Sequence, residues 1–221
     1  MVETMTDFAA EREVMVERQI ADRGVTEPTV LEAFRSVPRE EFLSPEYRDL
    51  AYGDHPLPIE AGQTISQPYI VALMIHAAEI KPGDRVLEVG AGSGYAAAVM
   101  SRIAGEVVAI ERQADLVKIA QERMQRLGYD NVRIVEGDGT RGWEGDAPYD
   151  AILAAASGSH VPPAWVQQLA DGGRIVMPVG EPSFVQKLIK VTKGPGGRLI
   201  SEDLCGVRFV PLIGEEGWSD G

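Results

Sequence analysis

An α/β fold built on one mostly parallel sheet is what the 221-residue sequence predicts, on three observations. From residue 85 onward, short apolar runs alternate with helical stretches, the rhythm of a parallel sheet covered on both faces. The first of those runs, Arg85–Val89, leads straight into Gly90, Gly92 and Gly94 and then into a helix. The last two are joined through Gly194-Pro195-Gly196-Gly197, a connection short enough to imply an antiparallel hairpin at the end of the sheet.

The first eighty residues read as a helical extension. Asp7 caps a helix running to about Arg23, and Gly24 stops it. Pro28 opens a second helix, in which Val30, Leu31, Phe34 and Val37 form one apolar stripe, and Pro38 ends it. The segment 40–66 is rich in proline, glycine and aromatics, too irregular for a long element. Its Phe42, Tyr47 and Tyr52 mark it as packed and functional. Pro68 takes the first turn of a third helix, with Ile70, Leu73, Met74 and Ala77 on the buried face and His76 off it.

Beyond the turn Lys81-Pro82-Gly83-Asp84, strands are expected at Arg85–Val89, Glu106–Glu111, Val132–Glu136, Tyr149–Ala154 and Arg174–Val179. Helices are expected at Tyr95–Ile103, Gln113–Leu127 and Pro163–Leu169, and two final strands at Phe184–Thr192 and Arg198–Ile213. The acidic tail Gly214–Gly221 is expected to be mobile, with Trp218 either docked or exposed. With no internal repeat, the chain reads as a single domain over 1–221: helical extension and loop to 80, core and C-terminal strands over 81–213, then the tail.

Composition excludes several classes of function. A formal charge of −13 argues against nucleic-acid binding, which needs a basic face to displace phosphate counterions. No apolar run is long enough to span a bilayer, and the acidic N-terminus lacks the basic-then-apolar design of a signal peptide, so no membrane partner is expected. The single cysteine, Cys205, cannot form an internal disulfide, which points to the cytoplasm. His55, His76 and His160 are scattered, and no metal-ligand spacing occurs, so no metal is expected.

The chemistry concentrates in VLEVGAGSGYAAAV, residues 86–99. Glycines let a backbone turn tightly and approach a ligand, and the following helix offers free amides. Glu111 ends the next strand, placed to accept both hydroxyls of a ribose. A dinucleotide loop reads GxGxxG; here the third glycine comes one residue sooner and a carboxylate, Glu88, precedes the loop. A carboxylate there repels a pyrophosphate but can contact an ammonium, directly or through water, which favours S-adenosylmethionine over NAD. After the third strand, Asp138 is either the acceptor for an adenine amino group or a turn and helix-cap residue.

GQTISQP, VLEVGAGSGY, GDG, YDAI, GGRIVMPVG and VRFVPLI occur in this order, and the chain over about 14–213 resembles the bacterial protein-L-isoaspartate O-methyltransferases. The first and last segments are the most discriminating, because the glycine loop is common to many methyltransferases. The resemblance implies a Rossmann-like S-adenosylmethionine-dependent methyltransferase fold with a seven-stranded sheet. It implies methylation of isoaspartyl residues in aged proteins and peptides, by a monomer, with the ester then collapsing to a succinimide. Ser66 matches the active-site serine, flanked by Thr64, Ile65 and Gln67 along the cofactor and acceptor pocket. Gly90, Gly92, Gly94, Glu88, Glu111, Arg112, Asp138 and Gly139 fall to the cofactor, and Val210 to the peptide. Ser66 can also cap the helix that follows it.

Two departures from the family pattern stand out. An Ala-Ala-Pro-like segment is replaced by Ala155-Ala156-Ser157-Gly158-Ser159-His160, and Tyr69 stands where some members carry histidine. A nucleic-acid amino-methyltransferase would carry a polar-Pro-Pro-aromatic segment after the fourth strand, which Val161-Pro162-Pro163-Ala164 does not supply. A small-molecule O-methyltransferase and a non-catalytic cofactor-binding module are the remaining alternatives.

Overall fold

The computed structural model describes residues 6–219; the outermost residues of the expected tail, 220 and 221, and residues 1–5 lie outside it. Asp7 accepts a hydrogen bond from the Ala10 amide at 3.1 Å and starts α1 (Phe8–Val14). The expected single helix is wound in three ways. After α1 the chain loosens to a π-helix over Met15–Ile20 and tightens to a 3-10 turn over Ala21–Arg23, before Gly24 stops it at φ 97°. The π-helical stretch carries Met15, Val16 and Ile20, all fully buried. Pro28 opens α2 (Pro28–Ser36), which buries Val30, Ala33 and Phe34.

The irregular segment folds into 3-10 turns over Arg39–Phe42 and Pro45–Leu50, with Phe42 and Tyr52 buried as their aromatic character implies. A two-residue ladder of β1 (Leu57–Pro58) against β2 (Thr64–Ile65) then delivers the chain to α3 (Pro68–Ala78), with Pro68 in its first turn. The buried face of α3 is rotated from the expected one. Val71, Ala72, Met74, Ile75, Ala77 and Ala78 are buried, whereas Ile70 and Leu73 are half-buried. Nearly every position of α3 is apolar, so periodicity alone could not select its face.

Seven strands form one sheet: β3 (Arg85–Val89), β4 (Glu106–Glu111), β5 (Val132–Glu136), β6 (Tyr149–Ala154), β7 (Leu169–Val179), β8 (Gln186–Lys193) and β9 (Leu199–Val207). Their order is β5-β4-β3-β6-β7-β8-β9, with β3 to β7 parallel and β8 antiparallel to both its neighbours. Side chains alternate across it. Val86, Val107, Ala109, Ala151 and Leu153 pack with the N-terminal helices, α3, α4 (Tyr95–Met100) and α5 (Ala114–Leu127). Leu87, Val89, Val108, Ile110 and Ile152 meet Trp165 of α6 (Pro163–Gln168) on the other face. The two-sided burial explains why these strands read as continuous apolar runs.

Four C-terminal expectations are corrected. β7 begins at Leu169 rather than Arg174, because the strand carries an irregularity that shifts its register with β6 between Tyr149 and Ala151. β8 begins at Gln186, leaving Phe184 and Val185 exposed in a turn. β9 ends at Val207, after which the chain leaves β8 and Pro211 pairs in parallel with Ser157. Residues 214–219 of the tail, expected to be mobile, are docked. The Trp218 indole donates to the Ser157 carbonyl at 2.8 Å and the Glu215 amide to Asp138 at 2.8 Å.

Candidate active site

A cavity of ≈ 890 Å³ opens beyond the carboxyl ends of β3, β4 and β6, where the strand order reverses about β3. Its floor is the glycine loop. Gly90, Gly92 and Gly94 all have positive φ (90°, 52° and 87°), a region that side chains disfavour. At Gly94 a Cβ would also lie 2.8 Å from Met124 Cε, so its absence lets α5 close on the loop. One carboxylate oxygen of Glu111 accepts the Gly92 amide at 3.0 Å, and the other accepts the amides of Arg112 and Gln113 at 2.9 and 3.0 Å. Glu111 therefore braces the loop as well as lining the cavity.

The opposite part of the wall comes from the segment before α3: Gln63, Thr64, Ser66 and Gln67. Ser66 is half-buried, and its hydroxyl makes no hydrogen bond to another described residue. The capping role open to it is not taken: no α3 amide donates to its hydroxyl among the described residues, and the Ile70 and Val71 amides go to the Gln67 carbonyl. The remaining wall is the run after β9. Val210 and Phe209 line the cavity, and the Val210 carbonyl accepts the Ser157 amide at 2.8 Å. The segment where this chain departs from the family pattern thus anchors the 208–212 run, with Ala155 and Ala156 on the wall and Ser159 and His160 exposed away from it.

Nine of the residues singled out from sequence meet on this wall: Thr64, Ser66, Gln67, Gly90, Gly92, Glu111, Arg112, Gly139 and Val210. Four lie off it. Ile65 points into the core, and Gly94 packs against α5. Glu88 is sealed on the helix side of β3, where burial, joined by the negative charge of Glu111, pushes its carboxyl well above the usual carboxylate range. Asp138 caps the turn Gly139–Arg141 through the Thr140 amide and also receives the Glu215 amide. Burial alone would raise its pKa, but the Glu215 amide and the Thr140 hydroxyl and amide outweigh it and hold the carboxyl below its usual range.

Sequence reasoning missed the wall residues Gln63, Gln113, Pro182 and Val185. Gln63 and Gln113 sat beside residues already chosen, and proximity was the available signal. Val185 comes from a turn that read as the start of a strand, and Pro182 lies in the same turn just before the expected strand.

The site fits an adenosyl cofactor. The cavity has the size of a small-molecule site, and its floor is bare backbone held at positive φ. The family model for protein-L-isoaspartate(D-aspartate) O-methyltransferase matches residues 10–217. Protein-L-isoaspartate O-methyltransferase 2 of Pelobacter propionicus is 55% identical over 207 residues, covering 94% of this chain and 92% of that protein. Protein-L-isoaspartate O-methyltransferase 1 of Rhodopseudomonas palustris is 56% identical over 214 residues, 97% of this chain and 87% of its own. A solved protein-L-isoaspartate O-methyltransferase superposes with a TM-score of 0.85 at 35% identity, over 93% of this chain and 67% of that one. A Plasmodium falciparum protein assigned to the same activity, solved in complex with S-adenosyl-L-homocysteine, gives 0.77 at 29% identity, over 91% of this chain and 98% of its own. The chain that builds this cavity belongs to the protein-L-isoaspartate(D-aspartate) O-methyltransferase family.

Proposed function

We propose that this enzyme transfers the methyl group of S-adenosylmethionine to the free carboxylate of L-isoaspartyl residues in damaged proteins and peptides, initiating repair through a succinimide. The observation that carries the reading is a neutral wall of hydroxyls and amides, Gln63, Thr64, Ser66 and Gln67, sharing one cavity with the glycine loop. When bound, S-adenosylmethionine supplies an activated methyl group. Thr64, Gly90, Gly92, Glu111, Arg112 and Gly139 are the wall residues assigned to hold it, with Glu111 on the ribose.

The acceptor is a carboxylate, ionised at neutral pH, so the chain has no proton to remove. Accordingly, no histidine or lysine lines the cavity among the described residues. The work left to the protein is alignment, which at its favourable limit can lower a barrier by about 7–11 kcal/mol. Ser66 offers an unspent hydroxyl that can donate to one carboxylate oxygen and turn the other toward the methyl donor, without the tight grip of a cation. Val210 and its neighbours supply the wall against which the peptide lies.

The small-molecule and non-catalytic alternatives gain no support from the relatives. Among the described residues no helix is long and apolar enough to cross a membrane. The same reading takes the enzyme as a cytoplasmic monomer without a nucleic-acid partner, on its acidic charge and lone cysteine. The test is methylation of an isoaspartyl peptide beside its normal aspartyl counterpart. Transfer to the first alone is expected; equal transfer to both, or to neither, would sink the reading.

A further inference from the structure

Arg39 is fully buried in the turn after α2 and does not line the cavity. A guanidinium stays charged at any pH a folded protein tolerates, so enclosing one without an anion is unfavourable unless its donors are well used. The adjacent carboxylate, Glu40, is taken by Arg12 and by the Tyr52 hydroxyl. Arg39 instead donates Nε to the Ala51 carbonyl at 2.7 Å and Nη2 to the Ser66 carbonyl at 2.9 Å, while Nη1 finds no hydrogen-bond partner among the described residues. Its guanidinium carbon also stands 4.8 Å from the centroid of the Tyr95 ring.

Those three contacts belong to three different parts of the site. Ala51 ends the irregular segment's second turn, Ser66 carries the unspent hydroxyl, and Tyr95 is the first residue of α4, immediately after Gly94. Phe34 and Phe42 hold the Tyr95 ring edge-on, at 6.2 and 5.4 Å between centroids, so the ring is a fixed surface. A planar fork that reaches two carbonyls while lying over an aromatic face is a task for arginine, and a lysine ammonium cannot do all three.

We propose that Arg39 is a positioning residue for methyl transfer, holding the Ser66 backbone in register with the glycine loop through the Ser66 carbonyl and the Tyr95 ring. The inference rests on the reading of Ser66 as the residue that orients the acceptor carboxylate. A small displacement of Ser66 relative to the methyl donor lowers turnover without loosening the cofactor, because the donor's own wall is left in place.

The test compares Arg39→Lys with wild-type enzyme by S-adenosyl-L-homocysteine binding, thermal melting and steady-state kinetics on an isoaspartyl peptide, with rates normalised to binding-competent protein. Expected are a dissociation constant for S-adenosyl-L-homocysteine within about threefold of wild type and a kcat lowered about 10- to 100-fold. A lowered Tm with unchanged kcat per binding-competent molecule would mean a merely structural role and overturn the proposal. A parallel Ser66→Ala variant separates the two levels: full turnover there defeats the reading of Ser66, whereas impaired Ser66→Ala beside unimpaired Arg39→Lys defeats the role of Arg39 alone. Should the lysine variant not fold, amide exchange on the wild-type enzyme decides. Adding S-adenosyl-L-homocysteine should slow exchange in segments 39–42 and 50–53, which do not line the cavity. Slowing confined to the cavity wall would overturn it.

Discussion

Ser66 lines the cavity and Glu88 is buried away from it, so the two meet opposite conditions. The Ser66 hydroxyl has no hydrogen-bond partner among the described residues and lies on the cavity wall, so Ser66→Ala removes a group on which the described fold does not depend. Binding of S-adenosyl-L-homocysteine and Tm should stay near wild type, while kcat on an isoaspartyl peptide falls about tenfold or more. Glu88 is enclosed, and burial raises its carboxyl pKa in the folded state. The folded protein then holds a proton that the unfolded chain releases, so stability falls as pH rises from the ordinary carboxylate range toward the raised folded value. Glu88→Gln should abolish that fall. Melting curves of the ligand-free protein would converge near pH 4 and separate at neutral pH, the variant melting higher by on the order of a few °C. The sequence carried Ser66 through its motif and Glu88 through its place before the loop. It carried no sign of Arg39, because a buried arginine in a 3-10 turn interrupts no periodicity and matches no spacing rule. Its partners are backbone carbonyls, and those leave no mark in the residue string.

At the level of elements, strands β3 to β6 were legible to the residue, since each is a short, mostly apolar run set between helical or turn-forming stretches. The C-terminal third was less so. Phe184 and Val185 have strand propensity but lie in an exposed turn, and Phe209, Val210 and Leu212 read as strand although β9 ends at Val207. What fixes them is tertiary. Gln186, 1% exposed, receives the Phe209 amide at 2.9 Å and donates to the carbonyls of Glu181 and Pro182, clamping turn and crossing strand together. The tail is held by similar means, so Trp218→Ala should free it. The lost indole contact and hydrogen bond predict a destabilisation of about 1–3 kcal/mol, measured by denaturant unfolding, with faster proteolysis after residue 213.

The whole molecule carries 34 acidic against 21 basic side chains. Most of its ion pairs are exposed and individually weak, so net self-repulsion is the dominant long-range electrostatic contribution. Raising ionic strength from about 0.01 to 0.15 M shortens the screening length from about 30 to 8 Å, and Tm should rise with it; a flat or falling Tm in sodium chloride would refute this. Fold class was readable because it depends on the alternation of strands and helices along most of the chain. The assembled cavity was not, because it joins residues 63–67, 90–92, 110–113 and 206–213, which only the folded sheet brings together. That last segment has a practical consequence for handling the enzyme. A molecule clipped just after Val207 would keep all seven strands, yet lose Leu212 from the core, the 208–213 run that walls the cavity and the tail that holds Asp138. Such a nicked preparation would keep the far-UV circular dichroism of the sheet while melting lower and losing turnover, so specific activity should be normalised to intact mass rather than to secondary-structure content.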